Sequence, residues 1–279
     1  MSDGFNLGCA GLVRLEGPDA RSFAHSQFCS DVVTLPGADW QWSGWLDAKG
    51  RVRYFFALID TNDDGLLAWL PLGDAAAFAL DLRCFQFRVK LSIERIEGFN
   101  VLGQFDPASD APRWQRDGDT VQLRLDGATT RLVRLAQRPS AQVDATALQR
   151  WRGCDASDGL PLIDGACSTE FVPQSLNLEQ LGAVSFRKGC YPGQEIAARL
   201  HFRGGNKRGL RLIRWDSANN TSAIPGARLS GLDTENRLGT LLYCGVDALG
   251  PIGLAVLADP QSSAQIALPD GTPARYQAT

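Results

Sequence analysis

Eight residues, Lys188-Gly189-Cys190-Tyr191-Pro192-Gly193-Gln194-Glu195, place a thiol beside a cation, between two glycines and next to a proline. Glycines on either side of a cysteine open backbone conformations closed to other residues and leave room for a partner to approach the sulfur. Pro192 fixes its own φ and biases Tyr191 toward an extended or turn geometry. Gln194 and Glu195 then open a short run, Ile196-Ala197-Ala198, that reads as the first turn of a helix. Cys190 is therefore expected just ahead of a helix N-terminus, where the backbone dipole and Lys188 both favour thiolate. Most free cysteines are small buried hydrophobes. A structural cysteine, however, gains nothing from a neighbouring cation or from flanking glycines, so the octet reads as a stiff turn carrying a reactive or ligand-contacting thiol.

The 279 residues are 44% hydrophobic, enough to bury a substantial core in two or three domains. A formal charge of -3 argues against general polyanion binding and leaves local basic patches open. No basic leader followed by an apolar core is visible, and no run approaches a membrane span, so a soluble cytoplasmic protein with no membrane partner is expected. The seven cysteines are scattered, with no Cys-x-x-Cys pair, which speaks against a disulfide framework and against zinc or ferredoxin-type sites. His25 and His201 lie in no ligand motif, and no resident metal is expected.

Along the chain, Leu12 to Leu15 reads as a strand, and Pro18 starts a helix through Phe28. Val52 to Ile59 and Leu66 to Leu70 form a hairpin across Thr61-Asn62-Asp63-Asp64-Gly65. Asp74 caps a helix carrying Phe78, Leu82 and Phe85, with Cys84 on its buried face, and a strand follows from Val89 to Ile96. Gln104 to Asp119 reads as a surface loop, Val121 to Leu135 as two strands about Asp126-Gly127, and Asp144 as the cap of a helix through Trp151. Beyond Arg199, apolar runs such as Leu210 to Trp215, Leu238 to Gly245 and Ile252 to Leu257, separated by turn residues, suit a small β-barrel. Strand, hairpin, helix and strand in that order indicate an α+β fold.

The octet resembles the signature of folate-binding YgfZ-type proteins, relatives of the T-protein (aminomethyltransferase) of the glycine cleavage system. Further blocks carry the resemblance in the same order: Leu15-Glu16-Gly17-Pro18-Asp19-Ala20, Gln27-Phe28-Cys29-Ser30-Asp31-Val32, Leu46-Asp47-Ala48-Lys49-Gly50-Arg51, Gly159-Leu160-Pro161, Phe171-Val172-Pro173-Gln174 and Arg199-Leu200-His201-Phe202-Arg203-Gly204. It implies a folate-binding T-protein-like region of two interleaved α+β modules over residues 1–200 and a C-terminal β-barrel domain over 201–279, in a ring-like arrangement.

The resemblance also implies a tetrahydrofolate, or a substituted reduced folate, as cofactor. Trp151 is the expected ring-covering aromatic, Asp158 or Asp155 an expected pterin acceptor in place of the T-protein carboxylate whose position holds Ser157, and Tyr191, Gln194, Glu195 and Arg199 are further candidate contacts. Cys190, assisted by Lys188, is the candidate catalytic pair, acting as nucleophile, transient metal ligand or redox contact. The acidic residues that follow the T-protein glycine turn are absent here: Lys49-Gly50-Arg51-Val52-Arg53-Tyr54 holds no carboxylate to handle protons in one-carbon transfer. The expected function is a folate-binding accessory protein in iron–sulfur cluster assembly or repair that supports tRNA modification indirectly and meets assembly proteins or cluster enzymes transiently. The rivals are a folate-dependent methyl or aminomethyl transferase and a tRNA or protein interaction module with a vestigial cleft. Basic residues gather at Arg187, Lys188, Arg199, Arg203, Lys207, Arg208, Arg211 and Arg214 and suit a folate tail, a protein or an RNA backbone, but aromatics interleaved among them are sparse, so tRNA binding has weak support.

Overall fold

The computed structural model describes residues 4–8, 11–63, 65–105, 110–136, 143–216, 223–232, 234–258 and 266–278. Cys9 and Asp64 lie outside the described residues. Among the described residues the strands form three antiparallel sheets. The first orders its strands as Asp39–Leu46, Val52–Asp60, Gly65–Leu70, Gly11–Glu16 and Ser92–Arg95. The second runs Phe5–Asn6, Asn100–Phe105, Arg131–Ala136, Thr120–Leu125 and Trp114–Asp117, so the strand nearest the N-terminus pairs past the whole first sheet. The third is a closed barrel of Arg208–Trp215, Gly250–Ala258, Thr234–Asp247, Arg228–Gly231, Ile266–Ala267 and Pro273–Ala278. Among the described residues the α-helices are α1 (Ala20–Gln27), α2 (Ala75–Arg83), α3 (Ala145–Ser157) and α4 (Gln194–Arg203). None is long and apolar enough to cross a membrane.

The period-two pattern of Val52–Asp60 explains why the first sheet is buried on both faces. Phe55, Ala57 and Ile59 join one core shared with the second sheet and part of the barrel, whereas Phe56 and Leu58 face a second core with Phe23 of α1, Phe28 just past its end and Phe78 of α2. The hairpin forms as read from the sequence, with Asn62 at φ 61° in its turn. Asp74 caps α2 by accepting from the backbone N–H of Ala76 at 2.8 Å and of Ala77 at 3.2 Å.

Four local expectations change. Helix α2 ends at Arg83, and Cys84, about 200° around the helix from Leu82, is exposed instead of buried. The strand expected over 89–96 shortens to Ser92–Arg95. The presumed loop 104–119 contains the edge strand Trp114–Asp117, whose polar residues hide its alternation.

Helix α3 runs beyond Trp151 to Ser157 despite Gly153. That glycine is required by packing. A Cβ there would lie 2.2 Å from the carbonyl oxygen of Val246, and one on Gly245 would lie 2.3 Å from the Gly153 nitrogen. The helix and the barrel strand thus meet backbone to backbone, and the Tyr243 hydroxyl donates to the Leu160 carbonyl at 2.7 Å just beyond the helix end. This contact docks the barrel on the N-terminal part of the fold.

Candidate functional site

The Cys190 turn is built on two glycines from different parts of the chain. Gly193, at φ 74°, caps the start of α4, and a Cβ on it would lie 2.3 Å from the Asp47 carbonyl oxygen and 2.8 Å from the Gly50 Cα. Gly50, at φ 72°, closes the opposing turn, which Asp47 Oδ1 braces by accepting from the N–H of Lys49 at 2.9 Å and of Arg51 at 2.8 Å. Two tight turns therefore nest with no side chain between them. Cys190 is exposed at the surface of this nest, and α4 begins at Gln194, as its sequence indicates.

Lys188 departs from its expected role. Its Nζ turns inward and donates to the carbonyl oxygens of His25, Phe28 and Ser30, the last at 3.1 Å, while standing 5.1 Å from the centre of the Tyr191 ring. The unpaired carbonyls at the C-terminal end of α1 attract a cation more strongly than an exposed thiol does. Burial pulls the lysine pKa down to about 8, partly countered by Cys29 and Asp31. Cys29 is fully buried next to this ammonium, and burial pushes its thiol pKa up. The buried Tyr191 hydroxyl has no hydrogen-bond partner among the described residues. Gln194, Glu195 and Arg199 lie along α4, the last two exposed.

Trp151 and Asp158 meet elsewhere, around Arg131. The Arg131 side chain is 0% exposed. Its Nη1 donates to Asp155 Oδ1 at 2.7 Å and to the Trp151 carbonyl at 3.2 Å, and its Nη2 donates to Asp158 Oδ2 at 2.8 Å. Burial works against the guanidinium charge, but Asp155 and then Asp158 outweigh it and hold the arginine pKa above its ordinary value. Trp151, expected to cover a flat ligand ring, is itself covered: it is 2% exposed, with the guanidinium 4.6 Å from its ring centre and Phe5 and Phe105 against it. Its place in the middle of the lengthened α3 turns it into the core. Asp158, expected as a pterin acceptor, already accepts from Arg131 and from the Ala128 N–H at 3.0 Å.

Arg131 also lines a cleft of about 340 Å³ together with Trp40, Trp42, Arg113, Leu125 and Leu160. Its Nε–H has no partner among the described residues. Trp40 and Trp42 are the aromatics that sequence reasoning missed, although their i, i+2 spacing on Asp39–Leu46 was a readable sign that both indoles share a face. Trp42 stacks on Phe55 at 4.9 Å, and the Arg113 guanidinium lies 4.6 Å from the Trp40 ring centre. Gln41, also on the cleft, donates to Ser30 Oγ at 3.0 Å and to the Asp31 carbonyl at 3.2 Å. Segment 29–31 therefore contacts the cleft wall on one side and Lys188 on the other. Among the described residues no group of three or more His, Cys, Asp or Glu side chains is placed to hold a metal ion.

No protein-family model matches the chain. It is 31% identical over 253 residues to the tRNA-modifying protein YgfZ of Klebsiella pneumoniae (strain 342), covering 82% of this chain and 74% of that protein. It is 30% identical over 277 residues to the tRNA-modifying protein YgfZ of Serratia proteamaculans (strain 568), covering 88% and 81%. Among solved structures, glycine cleavage system aminomethyltransferase T from Bartonella henselae shares the fold at a TM-score of 0.72 and 15% identity, over 97% of this chain and 83% of the other. The likeness in structure carries the α+β architecture and the barrel, and the identity over most of the chain places this protein in the YgfZ family.

Proposed function

We propose that this protein binds a reduced folate in the cleft beside Arg131 and serves as an accessory factor for tRNA modification, with Cys190 acting in the assembly or repair of iron–sulfur clusters of client enzymes. The observation that carries the folate reading is the fully buried Arg131 with its unpartnered Nε–H on a cleft that two indoles line. The donor set fits a pterin. A flat heterocycle takes Trp40 and Trp42 as apolar walls, and its carbonyl or ring nitrogen accepts from the Arg131 Nε–H. The cleft volume matches the head of such a ligand, so the glutamate tail extends outward past Arg113 at the rim. A reduced folate, when bound, supplies an electron-rich pterin that carries one-carbon units.

The chain's own residues then bind, orient and exclude water. Asp155 and Asp158 fix the Arg131 fork, Phe55 backs Trp42, and the Gln41–Ser30 link ties the cleft to the segment that Lys188 holds. Aminomethyl transfer is outside this proposal. Arg53 and Tyr54 stand where the acidic residues are missing, and both bind Asp81, with Tyr54 donating at 2.7 Å. Tryptophan fluorescence during titration with tetrahydrofolate tests the reading: saturable quenching is expected, and an unresponsive spectrum contradicts it. Turnover of an aminomethyl donor with tetrahydrofolate, above an enzyme-free control, would overturn the accessory role.

A further inference from the structure

Helix α4 leaves an aromatic stack and several cations uncovered beside the Cys190 turn. Of its residues only Ala197 is buried. Phe202 is 74% exposed, an apolar cost that a helix with so little core contact does not offset. The fold also brings Phe186 to this face, a residue that the linear sequence keeps apart. Its ring stacks on His201 at 4.3 Å and 22°, and Phe202 meets His201 edge-on at 4.7 Å and 82°. Glu179 Oε2 lies 2.9 Å from His201 Nδ1 and fixes the imidazole in this stack.

Folding also sorts the basic residues. Lys188 is spent on α1, and Arg214 pairs with Asp247. Arg187, Arg199, Arg203 and Lys207 remain exposed in the segments that carry the stack, and none of them has an ion-pair partner among the described residues. In a chain of net charge -3 this local excess of cations is a segregated feature.

We infer that this face docks RNA, with phosphates on Arg187, Arg203 and Lys207 and an unpaired base on the exposed Phe202 ring beside His201. An acidic peptide would satisfy the cations but has no use for a flat, uncovered aromatic surface. Cations that track a backbone beside an open stacking platform match single-stranded nucleic acid. Phe202 lies about 12 Å along the helix from Gln194, so docked RNA runs alongside the Cys190 turn. The choice of tRNA as a probe rests on the proposed role in tRNA modification; the surface chemistry does not.

The test measures fluorescence anisotropy of a labelled, unmodified tRNA transcript and of a labelled oligouridylate with the full chain across a salt series, polyglutamate being the competitor. The wild type is expected to bind both RNAs. Phe202→Ala should weaken oligouridylate binding at least fivefold, and the double variant Arg203→Glu/Lys207→Glu should weaken it at least tenfold and flatten the log–log salt slope by about 1.4. Arg95→Glu, on the exposed edge of the first sheet, should change neither. Absence of RNA binding at about 50 mM salt, an equal loss with Arg95→Glu, or displacement of RNA by polyglutamate at equal charge would each overturn the inference, the last in favour of an acidic protein partner. Tetrahydrofolate titration of the same α4 variants separates the two claims: wild-type affinity there with weakened RNA binding supports both, and loss of folate binding in the wild type alone defeats the cleft reading while leaving the RNA result to stand.

Discussion

The Lys188 Nζ lies 2.5 Å from the Phe28 carbonyl oxygen, at the C-terminal end of α1, and reaches the carbonyls of His25 and Ser30 from the same position. A residue two positions from Cys190 thus acts as a clasp between distant segments. It fixes the turn from which Cys190 projects, and it does so by satisfying helix-end acceptors.

Replacing this clasp should destabilise the protein. Lys188→Met removes several charge-assisted hydrogen bonds and should cost about 2 kcal/mol. Lys188→Arg should not restore the loss, because a planar fork cannot converge on carbonyls that surround a single point. Urea unfolding measures both variants, and full stability in the methionine variant would remove the clasp from the account.

The same lysine sets a pH signature. Its folded pKa of about 8 lies below the ordinary lysine value of 10.5, so over that interval the unfolded chain binds more protons than the folded one. Stability contributed at this position therefore rises with pH from about 8 to about 10.5. The difference in unfolding free energy between wild type and Lys188→Met should grow across this window and stay flat below it. A difference that shrinks there would contradict the buried ammonium.

Thiol accessibility should divide the cysteines. Alkylation of the native protein at neutral pH should modify Cys190 and Cys84, which are exposed, and spare Cys29 and Cys167, which are fully buried with thiols raised by burial, Cys167 to about 12. Mass spectrometry of the labelled peptides reads the result. Cys190→Ala should cost no more than about 1–2 kcal/mol and should abolish complementation of cluster-dependent activity in cells, whereas Cys84→Ala should complement at equal protein level.

Two packing variants probe the link between cleft and barrel. Trp151→Ala should cost about 3–5 kcal/mol as a large buried truncation, so its effect on ligand binding is inseparable from its effect on folding. Gly153→Ala forces a methyl into the Val246 backbone and should cost about 1–3 kcal/mol, with the loss seen as early melting in a thermal scan.

Most of the scaffold was legible in the chain. The period-two run of Val52 to Ile59, the Asp74 cap and the Gly193-Gln194 helix start are local signals, and local physics decides them. The candidate site was legible only in part because its partners are remote. Nothing near Lys188 announces the carbonyls of α1, and nothing near Trp151 announces that Arg131, from another strand, covers its ring. The helix read through Trp151 continues past Gly153, whose reason, the backbone of Val246, lies in the barrel. The indoles of Trp40 and Trp42 share a face by spacing, but nothing in their strand announces Arg113 and Arg131, which complete the cleft.

Isothermal titration of the full chain with tetrahydrofolate, repeated on Trp40→Leu, tests the central claim most directly. The indole of Trp40 lines the cleft and donates its Nε1–H to the Arg113 carbonyl at 3.1 Å, so circular dichroism and thermal melting must first show that the variant is folded. The account predicts one site per chain in the wild type and an affinity at least fivefold weaker in Trp40→Leu, as expected for one aromatic contact. Binding of equal strength in the folded variant, or no heat of binding in the wild type, would contradict a folate site beside Arg131.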